Sequence, residues 1–514
     1  MKQCFTFLLL FLFAAAIEAG ERKVALPGSE LFAGPIRQFK IEVAAPDFEK
    51  LRRQNRNYVS ATVTVGEAVF QDVAVRLKGQ GSFRPLTDKP SFALKFDEFV
   101  PKQKLFGLSK IMLNNSVQDT SLLSEYVATS LFRDAGVPAA RVTHARVSFN
   151  GRDLGLYVLI EAMNKTFLKQ HFRNANGNLY EGYAKDIGQT LEHDGGPPGD
   201  QSDLRSLVAA AMKAKENGGE FGRIFDVDGF YSFLGVTMLI AQHDSYVFNR
   251  NNYRLYHDPA SNRFTMIPHG IDGTFRDNSV SIRPPAKYVL TRSVLESTRD
   301  REIYRERVSS LFTNIFKLEA ISNRVEVACA KLREAVRSDQ ERTNLMRHSS
   351  NFLQRVALRH ARVAEQLSQP EPPRMIVDRG PGVALTGWEA DVDQGTATLE
   401  KRELDGRRVL SIENGPGPSL GVWRTRAMLD PGQYRVSGQV QTSNVVQRSF
   451  SGAAIRTYKM YATPRRVVTG SAWQNLEHHF VVNSGEEEVE FICELSAANG
   501  QAWFDLDSIR VARE

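Results

Sequence analysis

A proline-rich segment divides this chain into two parts with different sequence patterns. Ser368-Gln369-Pro370-Glu371-Pro372-Pro373 is crowded with proline, which fixes φ and offers no amide to a helix or a sheet. Strand and helix patterns alternate before this segment, whereas strand patterns dominate after it. At 514 residues the chain is also long for one core. We therefore predict an α+β domain at 20–367, a linker at 368–374 and an all-β domain at 375–514.

Residues 1–19 have the pattern of a secretory signal peptide. Lys2 is followed by an apolar stretch from Phe5 to Ala16, and Ala19 is a small residue suited to cleavage. The stretch is short for a membrane span, although a retained membrane anchor is the alternative. We expect 1–19 to be removed, leaving no integral membrane span. The mature protein is then secreted or extracytoplasmic, in the periplasm, at the cell surface or in the medium.

The charge and the cysteines narrow the possible classes of protein. A net charge of +7 suits a phosphate-bearing or acidic ligand, although an ordinary basic surface explains it equally. No basic run is interleaved with aromatic residues, so we expect no nucleic-acid partner. Signal cleavage would leave Cys329 and Cys493. They fall in different predicted domains and make no disulfide framework.

The first domain has the element order of a two-lobed kinase. Alternating apolar residues predict strands near 39–43, 61–65, 73–77 and 91–96, a helix at 121–135 and a hairpin at 145–160. Later patterns predict helices at 203–215 and 227–243, a hairpin at 252–267 and helices over 294–367. A β-rich lobe with one helix is thus followed by a helical lobe that a hairpin interrupts.

A glycine-rich turn between two of these strands is a candidate nucleotide site. Glycines allow backbone N–H groups to approach a phosphate closely. The same pattern also occurs in ordinary tight turns between strands. The candidate nucleotide-binding residues of this turn are Lys78, Gly79, Gly81 and Ser82.

Three charged residues outside the turn complete the predicted nucleotide site. Lys95, in the next strand, is placed to contact the α- and β-phosphates, with Lys89 as its rival and an exposed strand lysine as the plain alternative. Glu125, in the following helix, could pair with that lysine. Glu161 ends the first hairpin, where the chain passes between the lobes and an adenine ring could bind.

The strongest local pattern lies between Asp244 and Asp272. Asp244 follows an apolar helix and Asn249 comes five residues later. An aspartate that accepts a hydroxyl proton and an asparagine that binds a metal have this spacing in phosphoryl transfer. Asp272 follows the second hairpin and can hold Mg²⁺. A helix-terminal or turn aspartate is the alternative for each. The histidines make no zinc pattern.

These landmarks resemble the CotH-type kinase family over roughly residues 38–340. The matching segments, in chain order, are Arg76–Ser82, Lys89–Phe96, Asp119–Ser121, Asn150–Glu161, Gly177–Tyr180 and Asp244–Tyr256. The resemblance implies an atypical two-lobed kinase fold that uses ATP and Mg²⁺ or Mn²⁺ to phosphorylate hydroxyls of secreted or surface proteins. It implies that Asp244 is the base, that Asn249 and Asp272 are metal ligands, and that Lys95 contacts phosphate.

The chain departs from the family pattern at one point. The family usually has Pro-Trp-Asp-x-Asp where this chain has Pro268-His269-Gly270-Ile271-Asp272. Glycine offers no side-chain ligand, and the loss of one carboxylate weakens a Mg²⁺ site. The alternative function is therefore a secreted pseudokinase-like scaffold that binds envelope glycans or partners without catalysis.

The last domain resembles the jelly rolls of carbohydrate-binding modules. It alternates repeatedly from about Met375, for example in the terminal strand Ala502–Val511. Such modules stack sugars on aromatic side chains, so polysaccharide is a possible partner. Core aromatics are the alternative interpretation. The candidate glycan-binding residues are Trp388, Trp423, Tyr458 and Trp473.

Overall fold

The computed structural model describes residues 26–446, 451–458, 464–468, 470–482 and 487–514. The predicted signal peptide at 1–19 lies outside these residues. Within the described part, none of the helices has both the length and the apolar composition needed to cross a membrane. Cys329 and Cys493 are both buried and both free.

The chain begins with a closed seven-stranded barrel. Its strands are β1 (Arg37–Glu42), β2 (Val59–Val65), β3 (Ala68–Lys78), β4 (Ser91–Lys95), β5 (Lys110–Asn114), β6 (Val142–Phe149) and β7 (Arg152–Glu161). They are hydrogen-bonded in the order β1-β2-β3-β4-β5-β7-β6, and β6 pairs with β1 in parallel to close the ring. Alternate residues of β2 are buried, as the period of a strand requires. Closure leaves no exposed strand edge.

Four helices accompany the barrel. They are α1 (Ser29–Ala33), α2 (Ala45–Arg53), α3 (Ser124–Asp134) and α4 (Lys165–His171). Most of α3 is buried, because its apolar residues join the core of the helical region while its other contacts are with the barrel. The helix predicted at 121–135 is therefore confirmed, and it lies between the two parts of the domain.

A helical region with a small sheet follows. Its strands β8 (Asn178–Gly182), β9 (Glu192–Gly195), β10 (Tyr253–Asp258) and β11 (Arg263–Pro268) lie in the order β11-β10-β8-β9. Its helices are α5 (Ser202–Met212), α6 (Ala214–Ile224), α7 (Val227–Leu239), α8 (Tyr246–Asn249), α9 (Val289–Leu295), α10 (Thr298–Asn314), α11 (Leu318–Ala335) and α12 (Asp339–Ser368). α7 is buried along almost its whole length, as its apolar sequence predicts.

The last part is a sandwich of two β-sheets. Its strands are β12 (Val383–Ala384), β13 (Glu389–Gln394), β14 (Ala397–Leu404), β15 (Arg407–Asn414), β16 (Ser419–Leu429), β17 (Gly432–Ser443), β18 (Gly452–Thr457), β19 (Gly470–Val482), β20 (Glu487–Ala497), β21 (Gly500–Asp505) and β22 (Arg510–Arg513). One sheet has the order β12-β22-β17-β21-β15-β14 with β19 beside β17, and the other has the order β13-β16-β20-β18. A single apolar core lies between them.

The sandwich packs on the helical region through ion pairs. Arg283 donates to Glu371 at 2.9 Å and lies 3.5 Å from Glu488 of the sandwich. Arg305 of α10 also contacts Glu371, at 2.7 Å, and Arg362 of α12 pairs with Asp391. The contact is therefore polar and specific, and it joins segments that lie far apart in the chain.

Candidate functional site

A cleft of about 570 Å³ lies between the barrel and the small sheet of the helical region. Its walls bring together polar and charged side chains from both parts. Those used below are Lys78, Asn114, Glu125, Glu181, Asp194, Asp244, Asn251, Asn252, Arg254, His269 and Asp272. The turn 79–82 and the backbone of 160–164 also line it.

Lys78 is a half-buried cation of this cleft. It ends β3 and donates to Asn114 Oδ1, while Asn114 Nδ2 donates to Glu125 Oε2 at 2.9 Å. Burial lowers the pKa of Lys78, and the charges of Glu125 and Asp272 oppose that shift. Asn114 thus bridges a lysine on a strand and a glutamate on a helix.

Glu125 is held in an environment that disfavours its charge. Burial and the nearby charge of Asp272 raise the pKa of Glu125 to about 8, against the opposing effects of Lys78 and Asn114. The carboxyl of Asp272 also has a raised pKa, because burial outweighs the attraction of Lys78. Two carboxyl groups that repel each other favour a metal cation beside them, and the neighbouring ammonium favours a phosphate. The site is therefore suited to a phosphate ligand with a bound metal ion.

Lys95 lies away from the cleft, so its predicted contact with phosphate is wrong. In the antiparallel pair of β3 and β4, Lys78 is opposite Ser91 and Lys95 is opposite Ala74. Four residues of strand span roughly 13 Å, which places Lys95 at the far end of β4. There it is half-exposed and pairs with Glu98.

The rival lysine also has a structural role. Lys89 donates to the carbonyl of Leu156 at 2.8 Å and lies over the ring of Tyr157. Burial lowers its pKa to about 8. It is not among the residues that line the cleft, whereas Lys78 and Lys110 are. Of these two, Lys78 is the lysine whose charge interacts with Glu125 and Asp272.

The glycine-rich turn lines the cleft. Gly79 has a φ of +94°, and a Cβ there would lie 2.9 Å from Ser82 Oγ. Glycine is therefore required at this position. Arg56 donates to the Gly79 carbonyl, and Asn115 holds the Ser82 carbonyl at 3.1 Å. Gly81 is less crowded, with Gln118 Nε2 at 3.4 Å from its hypothetical Cβ.

The side chain of Glu161 is committed to a structural ion pair. Its carboxylate is buried and accepts from Arg141 at 2.5 and 2.9 Å and from Gln170 at 3.2 Å. The side chain is therefore not available to a nucleotide, whereas the adenine contact expected at Glu161 is with the backbone and stays a prediction. The backbone around Glu161 nevertheless lines the cleft, together with Met163.

Asp244 lies in the loop that joins α7 to β10, residues 240–252, here called the Asp244 loop. Its carboxylate accepts from Asn251 at 3.0 Å to both oxygens and from Asn252 at 2.8 Å. Asn252 also donates to the Asp244 carbonyl at 2.7 Å. Asp244 is exposed and lines the cleft, and a third amide, that of Asn249, also contacts its carboxylate.

Asn249 contacts Asp244 but does not line the cleft. Its amide lies 3.3 Å from Asp244 Oδ1 and 3.2 Å from the His243 carbonyl. The short helix α8 ends at Asn249 and the next residue, Arg250, has a φ of +56°. This left-handed turn reverses the chain, so that Asn251 and Asn252 face the cleft instead. Asn249 is therefore misplaced for the metal that the sequence assigned to it.

Asp272 lies in the cleft beside Lys78. Gly270, two residues earlier, has a φ of +57°, and a Cβ there would lie 2.4 Å from Asn252 Oδ1. An aspartate at 270 could not coexist with Asn252 in this position. Burial, with the charges of Arg254 and Lys78, holds the pKa of His269 well below its ordinary value.

A charge cluster lies on the small sheet and was not predicted from the sequence. Arg254 of β10 is buried and pairs with Glu181 of β8 at 2.7 Å and with Asp194 of β9. The segment around Asp194 reads as a loop in the sequence, because its glycines and charges hide a short strand. Register across the sheet brings the three side chains together, and no local signal reports it.

The described residues hold no ready-made metal site. No group of three or more His, Cys, Asp or Glu side chains within them is arranged to bind an ion. Mg²⁺ commonly binds one or two carboxylates together with waters and the phosphates of a substrate. The carboxylate of Asp272, with Glu125 nearby, fits that mode and not a closed protein cage.

The sequence model of the family described as "CotH kinase protein" matches residues 75–362. This is more than half of the 514-residue chain, and it contains every residue placed in the cleft above. The chain belongs to the CotH family.

A curated relative of this CotH-family chain is the "Inner spore coat protein H" of Bacillus subtilis (strain 168). The two are 22% identical over 281 residues, which cover 50% of this chain and 76% of the relative. The family and this relative agree with the resemblance found from the residues alone.

Solved carbohydrate-binding modules are similar in structure to about a quarter of the CotH-family chain. One, TmCBM61 in complex with β-1,4-galactotriose, is 16% identical with a TM-score of 0.19, and covers 26% of this chain and 95% of its own. Another, the CBM22-1 xylan-binding domain from Paenibacillus barcinonensis Xyn10C, is 13% identical with a TM-score of 0.20, and covers 28% and 97%.

Three of the four aromatic residues predicted to bind glycan are engaged in contacts within the protein. Trp388 and Trp423 are buried in the sandwich core, and their indole N–H groups donate to backbone carbonyls at 3.1 Å. Tyr458 faces the helical region, where its hydroxyl donates to Asp277. Trp473 is half-buried beneath the guanidinium of Arg407. Trp388, Trp423 and Tyr458 are thus engaged within the protein, because alternation marks core and surface aromatics alike, and glycan binding by Trp473 stays a prediction.

Proposed function

We propose that this CotH-family protein transfers the γ-phosphate of ATP to hydroxyl groups of proteins outside the cytoplasm. The observation that carries the proposal is the convergence of Lys78, Glu125, Asp244 and Asp272 on one cleft. These side chains come from a strand, a helix and two loops that are far apart in the chain. A common ligand that is both anionic and metal-bound accounts for their convergence.

Lys78 is proposed to contact the phosphates of ATP. The half-buried ammonium needs an anion to offset its loss of hydration, and the backbone of 79–82 lies beside it to receive the same phosphates. Glu125 acts through Asn114 to hold the ammonium in place. The lysine–glutamate arrangement of kinases, with a strand lysine and a helix glutamate, has the same chemistry.

Asp272 is proposed to hold the divalent cation, Mg²⁺ or Mn²⁺, against the phosphates. When bound, the cation neutralises charge that develops on the transferred group. Loss of the repulsion between Glu125 and Asp272 on cation binding also favours the ionised form of both. The amide oxygens of Asn251 and Asn252 are additional oxygen ligands within the cleft, and they replace Asn249 in this role.

Asp244 is proposed as the general base that accepts the proton of the acceptor hydroxyl. Its carboxylate is exposed, as a group that meets a protein substrate must be. The two amide donors Asn251 and Asn252 fix its orientation. They use lone pairs on both oxygens but leave others for the hydroxyl.

A scaffold without catalysis is the second candidate, and Gly270 is the observation that favours it. The family's first aspartate is missing there, and Asn252 occupies the space that an aspartate would need. A cleft with one fewer carboxylate could bind nucleotide without transferring phosphate. The two candidates therefore differ in turnover.

The test uses the full mature chain, [γ-³²P]ATP and either Mg²⁺ or Mn²⁺, with self-labelling and labelling of a protein mixture as readouts. We expect metal-dependent labelling that falls by about 100-fold or more in Asp244→Asn, since the base is lost while the shape remains. Nucleotide binding, measured by calorimetry, should persist in that variant. Nucleotide binding without labelling in the unmodified chain would favour the scaffold, and absence of nucleotide binding would contradict the kinase.

A pair of matched lysine variants separates the cleft lysine from the one the sequence favoured. Lys78→Met should weaken ATP binding by about 10-fold or more and should remove labelling, because the phosphates lose their half-buried cation. Lys95→Met, on the neighbouring strand but outside the cleft, should stay within about twofold of the unmodified chain. Equal losses in the two variants would contradict the assignment of Lys78.

A further inference from the structure

The start of the Asp244 loop is fixed by a buried arginine from α12. Arg359 has no exposed surface, and its guanidinium donates to the carbonyls of Met238 at 2.6 Å and Leu239 at 3.1 Å. These are the last two carbonyls of α7, where a cation also complements the helix dipole. The end of α7 and the beginning of the Asp244 loop therefore have a defined position relative to α12.

The same arginine holds a second segment, residues 277–283, here called the docking segment. Arg359 donates to the carbonyls of Asn278 at 2.9 Å and Val280 at 2.6 Å. Gln366 of α12 accepts from the Ile282 amide at 2.7 Å. One side chain thus binds the end of α7 and the docking segment together, with four of its N–H groups in use.

The docking segment contacts the sandwich through hydrogen bonds. Tyr458, directly after β18, donates its hydroxyl to Asp277 and accepts from Ser279 at 3.3 Å. Asp277 Oδ2 in turn lies 3.4 Å from His243 Nε2, an ion-pair distance that lacks hydrogen-bond geometry. His243 is the residue immediately before Asp244. A chain of contacts therefore runs from the sandwich to the predicted base.

Asp277 is ionised at the contact between the helical region and the sandwich. Burial opposes its ionisation, yet contacts with His243, Ser279 and Tyr458 hold its pKa well below the ordinary range. An ionised, half-buried carboxylate with three partners has a strong orientational preference. Loss of any one partner leaves the others less well placed.

We propose that the sandwich positions the Asp244 loop, with Tyr458 acting through Asp277 and His243 on the residue beside the general base. Tyr458, Asp277 and Arg359 are positioning residues in this arrangement and touch no substrate. The sandwich then contributes to phosphate transfer by positioning the Asp244 loop. Its effect on phosphate transfer rests on the proposed function, whereas its effect on the loop does not.

Hydrogen–deuterium exchange of the full chain tests the positioning without any activity. In Tyr458→Phe the amides of 240–252 should exchange about fivefold faster or more, because the Asp244 loop loses one of the contacts that hold it in place. The matched control is Tyr434→Phe, which removes a buried hydroxyl that donates to Asp430 within the sandwich at 2.7 Å. Exchange at 240–252 should be unchanged in the control. Equal exchange in the two variants would overturn the inference.

Kinetics provide a second readout that a purely structural role would not produce. Tyr458→Phe should lower kcat by about fivefold to tenfold with KM for ATP unchanged, since the base moves while the nucleotide site does not. Asp277→Asn, which keeps an acceptor for Tyr458, should retain more kcat than Asp277→Ala. A drop in kcat without faster exchange would also overturn the inference. If the unmodified chain transfers no phosphate, the proposed function fails and the exchange result alone decides the positioning.

Discussion

Gly270 is the residue at which this chain leaves its family, and its backbone explains why. A φ of +57° is costly for any residue with a side chain, and the Cβ position is already taken by Asn252 Oδ1. Asn252 cannot move freely, because its amide holds both the backbone and the carboxylate of Asp244. The glycine and the asparagine therefore form a pair, and the amide that orients Asp244 occupies the space of the missing aspartate.

A glycine-to-alanine comparison tests this pairing. Gly270→Ala should destabilise the fold by about 1–3 kcal/mol, through both the left-handed backbone and the contact with Asn252. Gly273→Ala, three residues later, has no neighbour within 4 Å of its hypothetical Cβ and should change stability by less than about 0.5 kcal/mol. Urea unfolding measures both, and a Gly270→Ala variant as stable as Gly273→Ala would contradict the close contact.

The residues that the sequence placed well are those whose local context is informative. Asp244 and Asp272 each follow a strongly patterned element, so their position at the end of that element could be predicted. Lys78 was found as part of its turn, but its role was given to Lys95. The choice between the two lysines depends on the register of β3 with β4, which the two strand sequences do not encode locally.

The first turn of α3 shows how an element carries a functional side chain to its place. Asp119 accepts from the amides of Ser121 at 3.1 Å and Ser124 at 2.8 Å, which begins the helix. Leu122 is held with a φ of +64°, and its carbonyl contacts His144 Nε2 of β6 at 2.8 Å. His144 therefore ties the barrel to the turn that presents Glu125.

This histidine predicts a pH dependence of stability. Burial lowers the pKa of His144 from 6.5 to about 4. The unfolded chain therefore takes up a proton below about pH 6.5 that the folded chain refuses until about pH 4, so stability falls as the pH falls through this window. His144→Gln, which keeps a donor for Leu122, should lose less stability than the unmodified chain between about pH 7 and pH 5, by about 2 kcal/mol.

Urea unfolding at both pH values measures this difference. The control is His479→Gln at an exposed histidine of the sandwich, which should follow the pH dependence of the unmodified chain. An unchanged slope in His144→Gln would show that His144 is protonated in the folded state at about pH 5, contrary to its burial.

At the scale of the whole molecule, the order of the parts was readable but their contact was not. The prolines after Ser368 mark the end of α12, and alternation marks the strands beyond it. The contact depends on polar side chains such as Ser281 and Glu488, which are more than 200 residues apart. Each looks like an ordinary surface residue in its own segment, because only the folded partner makes it an interface residue. The same limit hid the role of Tyr458, which sequence pattern grouped with sugar-stacking aromatics.

The interface predicts that the two parts unfold together only while Arg283 is present. Arg283 is largely buried between Glu371 and Glu488, and Glu488 is itself only 6% exposed on its side chain. Arg283→Ala removes one of the two cations beside that carboxylate, since Arg426 stays 3.6 Å away, and it also ends the contact with Glu371, a loss of about 3 kcal/mol of interface energy. Calorimetry should then show the sandwich and the first domain melting in two separate transitions. Arg408→Ala, which removes an exposed pair with Asp507 inside the sandwich, should leave the profile of the unmodified chain. A single unchanged transition in Arg283→Ala would mean that apolar packing, and not this ion pair, couples the two parts.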